Sequence, residues 1–389
     1  MRERLPLDSN PMGKVFDILI AILGLAVLMI VHEAGHFFAA RSFGMRVTTF
    51  SIGFGPTFFK IEPQDGYFWF TTLAGKVRLR LGKHDAEKHG PTVYQAAMIP
   101  FLAYVQIAGM NPFEENDPKD KGSYANASLL GRVVTIFGGP LANFLFESVF
   151  FFFSYFYGGL TTFPSPTEVG SNAVEVMVGE PAEQAGLRDG DRVVEVSGQA
   201  VDSWEAMAKN VSAHPGEPIV IVVNRQDERV ALTMTPRRDE RNEKRGIIGV
   251  RPRGRHEPVT AGQAVKLAIT SPPVVVKNLV LGLGDMLTGR VKPEVHGPVT
   301  IITEGAKMVR RSFTDWLNLM GVLSAYLGAF NLIPFPALDG GRLVFLGYEL
   351  TTRRKPNARV EAHIHVVGLM MLLGVMLYVT IFNDLKLGR

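Results

Sequence analysis

The sequence of 389 residues contains no cysteine. Disulfide bonds and cysteine-based zinc sites are therefore excluded, so any metal ion must be held by histidine, aspartate or glutamate. Charge is also sparse, since charged residues make up 20% of the chain and the formal net charge is only +4. Such a chain gives no reason to expect nucleic-acid binding. It also lacks the internal repeats that are typical of many transporters.

Apolar segments of membrane-spanning length are abundant. About 20 apolar residues cross a bilayer, and four segments reach or approach this length: Val15–Ala40, Val133–Tyr157, Trp316–Ile333 and Val366–Phe382. A further stretch, Val274–Leu287, is bracketed by Pro272-Pro273 and Asp285, and its short length favours an interfacial helix. The sequence therefore predicts a polytopic α-helical membrane protein with about four transmembrane helices.

Five residues inside the first apolar segment give the strongest functional signal: His32-Glu33-Ala34-Gly35-His36. On a helix, positions i and i+4 share a face, so both imidazoles can reach one metal ion, and Glu33 can take a proton from the attacking water. Ionisable groups are costly within a bilayer and are functional there by default. The motif therefore predicts a zinc metalloprotease that works in the membrane, against the alternative of a helix with two unrelated histidines.

A third zinc ligand must come from elsewhere, because a catalytic zinc usually takes three protein ligands and one water. The strongest candidate is Asp339, within Asn331–Arg342 (NLIPFPALDGGR), where two prolines break the helix and two glycines free the backbone. Two alternatives stay open. Asp339 could instead cap the next helix. Glu147 in the second apolar segment could be a rival ligand, a hydrogen-bonding partner of a ligand histidine, or a carboxylate that snorkels into a cavity.

Polar, strand-rich segments separate the apolar ones. Val47–Lys60 and Tyr67–Leu81 are rich in aromatic and β-branched residues, which predicts a small membrane-associated β region. A strand around residues 75–81 either pairs with an unwound substrate segment or only packs at the membrane surface. The stretch Glu180–Val201 resembles a mainly-β PDZ domain of the bacterial protease type. These features predict a membrane domain at 1–164, an inserted PDZ domain at 165–255, a linker with interfacial helices at 256–315, and a second membrane domain at 316–389.

Positive charge sets the expected membrane orientation. Arginine and lysine residues cluster between the third and fourth apolar segments, at Arg342, Arg353, Arg354, Lys355 and Arg359. Because short cytoplasmic loops are enriched in such residues, this loop and residues 41–130 should be cytoplasmic. The PDZ domain and both termini should then lie outside.

Several motifs in order resemble the site-2 protease family of intramembrane zinc metalloproteases, of the bacterial regulator-of-sigma-E-protease type. They are HEAGH at 32–36, FSIGFGP at 50–56, GGPLANF at 138–144, the PDZ pattern, GPVTI at 297–301 and NLIPFPALDGGR at 331–342. The resemblance implies that His32, His36 and Asp339 bind Zn²⁺ and that Glu33 is the general base. It also implies that Asn143, Asn331, Pro140 and Pro334 support the site or contact substrate.

The resemblance further implies a function and a location. The expected reaction is hydrolysis of peptide bonds within the transmembrane segments of single-span proteins, such as anti-sigma factors or remnant signal peptides. It would follow a first external cleavage, in the bacterial inner membrane, with the PDZ domain on the periplasmic side. A non-catalytic PDZ scaffold and a metal transporter are the alternatives. The chain departs from many members in having Leu102–Gln106 (LAYVQ) in place of Gly-Gly-Tyr-Val-Lys, and it has one PDZ domain where some have two.

Overall fold

The fold consists of two compact units. The computed structural model describes residues 11–64, 67–73, 75–77, 91–111, 117–177, 179–239, 242–291 and 297–385. The membrane unit comprises Met1–Tyr157 and Thr260–Arg389, and the inserted unit comprises Gly158–Val259. The described helices are α1 (Pro11–Ser42), α2 (Leu129–Gly158), α3 (Pro181–Gln184), α4 (Trp204–Ser212), α5 (Ala261–Leu287), α6 (Pro298–Arg311), α7 (Phe313–Asn331), α8 (Asp339–Thr352) and α9 (Ala358–Val379).

Among the described residues, four helices are long and apolar enough to cross a membrane: α1, α2, α5, and α9 with the π-helical turn Thr380–Asp384 that follows it. Only 6% of the apolar window of α5 and 11% of that of α9 is buried. Apolar helices with so much exposed surface need a lipid environment, because water would meet nearly all of their side chains.

The observed helices differ from the predicted segments in two respects. α5 is one continuous helix of 27 residues that runs through Pro272 and Pro273, so the short length predicted for the stretch Val274–Leu287 is wrong. Proline removes a backbone donor and can bend a helix without ending it, and such interruptions are tolerated in membrane helices. The predicted third segment forms α7, but Asp315 and Asn318 in its first turns lower its hydropathy, and it is not among the four.

Small residues allow α7 to pack closely along α2. Ser154 Oγ donates to the Thr314 carbonyl near one end of the pair, and Ser324 Oγ donates to the Asn143 carbonyl further along. At Gly328, an added Cβ would lie only 3.1 Å from the Pro140 carbonyl oxygen. Small side chains at these positions let the two backbones approach, as is common between membrane helices.

The β region forms one sheet with the strand order β3-β2-β1-β4. Its strands are β1 (Val47–Gln64), β2 (Tyr67–Thr72), β3 (Gly75–Val77) and β4 (Val93–Ile107). β4 has no counterpart among the predicted strands. The predicted strand around residues 75–81 is seen only as the exposed edge strand β3, because Arg78–Leu81 lie outside the described residues. The sheet packs on the end of α1 through a buried cluster of Phe37, Ala40, Met45, Val47 and Ile107.

Charged contacts fix the ends of the membrane helices. Asp17, the only acidic residue of α1 before the histidine motif, accepts from Arg310 of α6 at 2.6 Å. Arg132 of α2 and Glu349 of α8 form a largely buried bidentate pair at 2.8 and 2.6 Å. Asp384 accepts from the backbone N–H of Gly297 and Val299, which explains part of the GPVTI motif: its carboxylate caps the positive end of α6.

The inserted unit is mainly β. Its strands are β5 (Leu160–Thr162), β6 (Val174–Val176), β7 (Arg192–Val196), β8 (Gln199–Ala200), β9 (Ile219–Arg225), β10 (Glu228–Met234), β11 (Arg237–Asp239), β12 (Asn242–Ile247), β13 (Val250–Pro252) and β14 (Arg255–Glu257). The largest sheet has the order β10-β9-β7-β8. Alternate residues of β9, including Ile219, Ile221 and Val223, point into the core. Buried Asp191 binds Arg225 through two hydrogen bonds.

Candidate metal centre

Two distant segments of the membrane unit meet at His32, His36 and Asp339. The two histidines lie one helical turn apart on α1, and Asp339 is the first residue of α8. His32 Nε2 and His36 Nε2 lie 3.1 and 3.2 Å from Asp339 Oδ2, and the two nitrogens are 3.2 Å apart. The three side chains therefore form a tight triangle, although Asp339 is 307 positions from His32.

The triangle has the dimensions of a zinc site. Ligand atoms that each lie about 2.0–2.1 Å from a tetrahedral zinc ion are about 3.3 Å from one another. The observed separations of 3.1–3.2 Å are close to this value. Two nitrogens and one carboxylate oxygen form a common donor set for a catalytic zinc, which leaves a fourth position for water. The residues present therefore fit a zinc ion.

The Nδ1 atom of each histidine, which lies away from the triangle, also has a hydrogen-bond partner. This partner determines that Nε2 is the nitrogen that faces the metal. His36 Nδ1–H donates to the Thr135 carbonyl oxygen at 2.8 Å. Since a carbonyl can only accept, the proton is on Nδ1 and the Nε2 lone pair is free. Such a partner fixes the tautomer and the ring orientation of a metal-binding histidine.

Asn143 has the same role for His32. Its side-chain amide lies 3.0 Å from His32 Nδ1, in a position with no solvent exposure. In the arrangement shown Asn143 Nδ2 faces His32 Nδ1, and a half-turn of the amide about its Cβ–Cγ bond exchanges Nδ2 with Oδ1. With the oxygen facing His32, Nδ1–H donates to Asn143 and leaves Nε2 free for zinc. This orientation also gives a partner to Asn143 Oδ1, which otherwise has none among the described residues.

Glu33 lies between the histidines in sequence and is held by the sheet. Its Oε2 accepts from the backbone N–H of Val105 in β4 at 2.9 Å. Val105 belongs to the segment Leu102–Gln106, where the chain departs from the Gly-Gly-Tyr-Val-Lys pattern. The departure thus lies in an ordered strand that contacts the residue expected to act as the base.

The structure also bears on the alternatives for Asp339 and Glu147. Among the described residues, the Asp339 carboxylate contacts the two imidazoles and caps no helix. Glu147 is not part of the metal-binding cluster. It is completely buried, and neither of its carboxylate oxygens has a partner among the described residues. Since Glu147 is completely buried and bonds none of the described residues, the structure shows neither a carboxylate that snorkels into a cavity nor a hydrogen bond from Glu147 to a ligand histidine.

The remaining predicted site residues lie in α2 and at the connection between α7 and α8. Pro140 lies inside α2 one turn before Asn143. Pro334 lies in the loop that joins α7 to α8, and Asn331 ends α7, where its side-chain amide donates to the Leu327 carbonyl. Contact of Asn331 with substrate stays a prediction.

A close crossing of α1 and α2 is a feature that the sequence analysis missed. An added Cβ at Gly35 would overlap the Gly138 carbonyl, and one at Gly138 would lie 2.7 Å from the Gly35 carbonyl. An added Cβ at Gly139 would overlap the His36 ring at Nε2. The glycines of HEAGH and GGPLANF therefore let the helix with the ligands reach the helix that orients them. The glycines themselves were the available signal, because small residues in membrane helices often mark the positions where two helices cross closely.

We expect Gly139→Ala to weaken zinc binding by about 10-fold or more, because the added methyl group displaces His36 Nε2 from the triangle. This is comparable to the loss of a group that hydrogen-bonds and orients a metal ligand. Zinc content after dialysis against a chelator would measure this. Gly284→Ala in α5, where an added Cβ meets no atom within 4 Å, is the matched control. Equal zinc retention in the two variants would contradict the role of the crossing.

Comparison with known proteins shows the family to which the chain belongs. The family model for peptidase family M50 matches residues 20–375. The chain is 31% identical over 381 residues to a candidate zinc metalloprotease of Agrobacterium fabrum, Atu1380, with 94% of each chain covered. It is 27% identical over 418 residues to the zinc metalloprotease RasP of Geobacillus kaustophilus, covering 94% of this chain and 96% of the relative. The chain belongs to peptidase family M50.

Membership in family M50 decides between the three functional classes considered for the sequence, which are a protease, a non-catalytic scaffold and a metal transporter. The protein is a zinc metalloprotease of the site-2 protease family and a membrane protein, so the non-catalytic scaffold and the metal transporter are set aside. Its cofactor is zinc, and the His-His-Asp group of this M50 peptidase could bind it.

Proposed function

We propose that this M50 peptidase hydrolyses peptide bonds within the membrane-spanning segments of single-span proteins. The observation that supports this most strongly is the position of the metal-binding triangle. His32 and His36 lie inside α1, one of the four described helices that are long and apolar enough to cross a membrane. A peptidase site built into such a helix is best placed to meet substrates that are themselves in the membrane.

The residues of the triangle and Glu33 have distinct roles in this reaction. We assign His32, His36 and Asp339 as the zinc ligands. When bound there, zinc acts as a Lewis acid and lowers the pKa of a coordinated water to about 7. The Glu33 carboxylate accepts the proton of the attacking water and returns it to the leaving amine. The Val105 N–H keeps this carboxylate oriented, while Thr135 and Asn143 hold the imidazoles.

The substrate must be unwound, because the carbonyls of a transmembrane helix are hydrogen-bonded within the helix. The edge strand β4 is suited to receive the unwound segment. In β4 the N–H of Val105 points away from β1 toward Glu33, so by the two-residue period of a strand that of Ala103 points outward as well. This edge borders the helix with the ligands, and we therefore favour it over the predicted strand around residues 75–81.

Ala103→Pro tests this edge, because proline removes one outward N–H without removing an N–H that pairs with β1. We expect kcat/KM for a single-span reporter to fall by about 3- to 10-fold, as for the loss of one hydrogen bond. Ala103→Val, which keeps the N–H, should cleave like the wild type. Unchanged cleavage by Ala103→Pro would show that substrate does not pair with β4.

The helix packing supports α7, not α5, as the third membrane crossing. α7 runs along α2 from Thr314 beside Ser154 to Gly328 beside Pro140, so both helices cross the same layer. By contrast, the middle of α5 meets the end of α2, where Tyr155 hydrogen-bonds Ser271. We therefore assign α5 to the membrane surface. The basic residues after α8 support the proposal of a bacterial inner membrane protein with residues 41–130 in the cytoplasm and the inserted unit outside.

The inserted unit is proposed to be a PDZ domain that restricts access to the site. The predicted PDZ segment 165–255 lies within it, and its turn and strand pattern around Arg192–Val196 agrees with the sequence motif. Substrates would be single-span proteins, such as anti-sigma factors or remnant signal peptides, whose bulky external domains have already been removed.

The test of this function is cleavage of a single-span reporter by the purified protein in lipid vesicles. Mass spectrometry of the products would locate the cut. Products cut within the apolar segment, lost on chelation and restored by zinc, would support the proposal. Cleavage confined to residues outside the apolar segment would contradict intramembrane proteolysis.

A further inference from the structure

The loop that delivers Asp339 contains a strained residue. Ala337, two positions before Asp339, has a φ of 80°. A side chain with a Cβ is unfavourable in this left-handed region, so the conformation persists only where the surrounding structure holds it. Something in the fold must therefore stabilise the loop at this point.

Contacts within the loop do not bind the Ala337 N–H. The Phe335 N–H donates to the Ile333 carbonyl at 2.7 Å, and the Leu338 N–H donates to the Phe335 carbonyl at 3.2 Å. These bonds shape the turn on either side of Ala337. The N–H of Ala337 itself donates to a different element, α9, where His365 Nδ1 accepts it at 2.9 Å.

His365 sits where α9 packs on this loop. An added Cβ at Gly368, three residues further along α9, would overlap the Pro336 side chain, so the helix and the loop are in direct contact. The His365 ring also lies 5.7 Å from the Phe345 ring of α8. The backbone N–H can only donate, so His365 Nδ1 must be unprotonated and the neutral ring carries its proton on Nε2.

We propose that His365 is a positioning residue for zinc binding: by accepting the Ala337 N–H, it holds the loop in the conformation that aims Asp339 at His32 and His36. This inference rests on the proposed assignment of Asp339 as a zinc ligand. Metal affinity depends on partners that orient the ligands, and their removal typically costs 10- to 100-fold. His365 acts through the backbone of the ligand's own loop, so sequence spacing gives no sign of this role.

Three variants of the full chain separate the hydrogen bond from packing. His365→Leu removes the acceptor and keeps an apolar side chain in the same space. His365→Asn keeps an acceptor, because Asn Oδ1 and His Nδ1 are both attached to Cγ. His363→Leu is the matched control on the same helix, since the His363 ring bonds the Arg359 carbonyl of its own helix.

The primary measurement is zinc affinity of the purified protein in detergent, by competition with a chelator of known affinity. The absorption spectrum of the cobalt-substituted protein reports ligand geometry separately. We expect His365→Leu to bind zinc at least about 10-fold more weakly and to show altered cobalt bands. His365→Asn should recover to within about threefold, and His363→Leu should match the wild type, on the same reasoning about partners that orient ligands.

Two results would overturn the inference. One is wild-type zinc affinity and an unchanged cobalt spectrum in His365→Leu. The other is an equal loss in His365→Leu and His365→Asn, which would assign the effect to the ring and not to the acceptor. Neither readout needs a substrate, so a protein that binds zinc but cleaves nothing would refute the proposed function and leave this test intact.

Discussion

Replacing Asp339 by alanine is expected to remove nearly all zinc from the purified protein. Among the described residues, Asp339 Oδ2 is the one carboxylate oxygen paired with both Nε2 atoms, at 3.1 and 3.2 Å, so its loss leaves two imidazoles as the described ligands. The loss of zinc affinity should exceed the roughly 10- to 100-fold loss that follows removal of a group that only orients a metal ligand. Metal analysis of the purified variant after gel filtration measures it directly.

Glu147→Gln is the control for Asp339→Ala. It also changes a carboxylate in the membrane unit, but Glu147 is fully buried, has no partner among the described residues and lies outside the metal-binding cluster. We expect it to keep its zinc. Since an unpaired buried charge is unfavourable, the neutral amide should not lower thermal stability. Full zinc content in Asp339→Ala, or loss of zinc in Glu147→Gln, would refute the ligand assignment.

Glu33→Gln is expected to lower kcat by about 10²- to 10⁴-fold, the usual contribution of a general base. Glutamine has the same shape and keeps an oxygen that can accept the Val105 N–H, so the fold around β4 should persist. It cannot accept the proton of the attacking water at neutral pH. Single-turnover cleavage of the reporter gives the rate of hydrolysis, and metal analysis of the same sample gives its zinc content.

The two variants should fail in different ways, and this difference is the decisive result. Asp339→Ala should lose zinc and activity together, whereas Glu33→Gln should lose activity with its zinc retained. If Glu33→Gln cleaves at the wild-type rate, Glu33 is not the base. If it loses its zinc as well, Glu33 supports the metal site and its role in proton transfer is not established.

The local pattern of the sequence was sufficient to predict much of the membrane unit. Apolar length predicted α1, α2 and α9, because membrane spans are defined by composition over about 20 residues. The positions of Pro272 and Pro273 misled the prediction of where this helix begins, since α5 continues through both residues. β4 was missed because its apolar segment, Val93–Ile107, shows no strict alternation, and pairing with β1 decides its conformation.

The sequence by itself determined which side chains could bind a metal. The absence of cysteine limited the donors, and the i, i+4 spacing of His32 and His36 placed two of them on one helical face. The motif around Asp339 then indicated the third. These conclusions depend on side-chain chemistry and short-range periodicity, and both can be read from the sequence without knowledge of the tertiary structure.

Only the tertiary structure decided what holds those side chains in place. His36 is oriented by the Thr135 carbonyl, Glu33 by the Val105 N–H, and the loop of Asp339 by His365. Two of these partners are backbone groups: a carbonyl, which every residue type has, and an N–H, which every type except proline has. No residue pattern identifies such groups. The histidines and Asp339 are about 300 positions apart, and their meeting depends on close helix crossings that small residues permit but that no local pattern specifies.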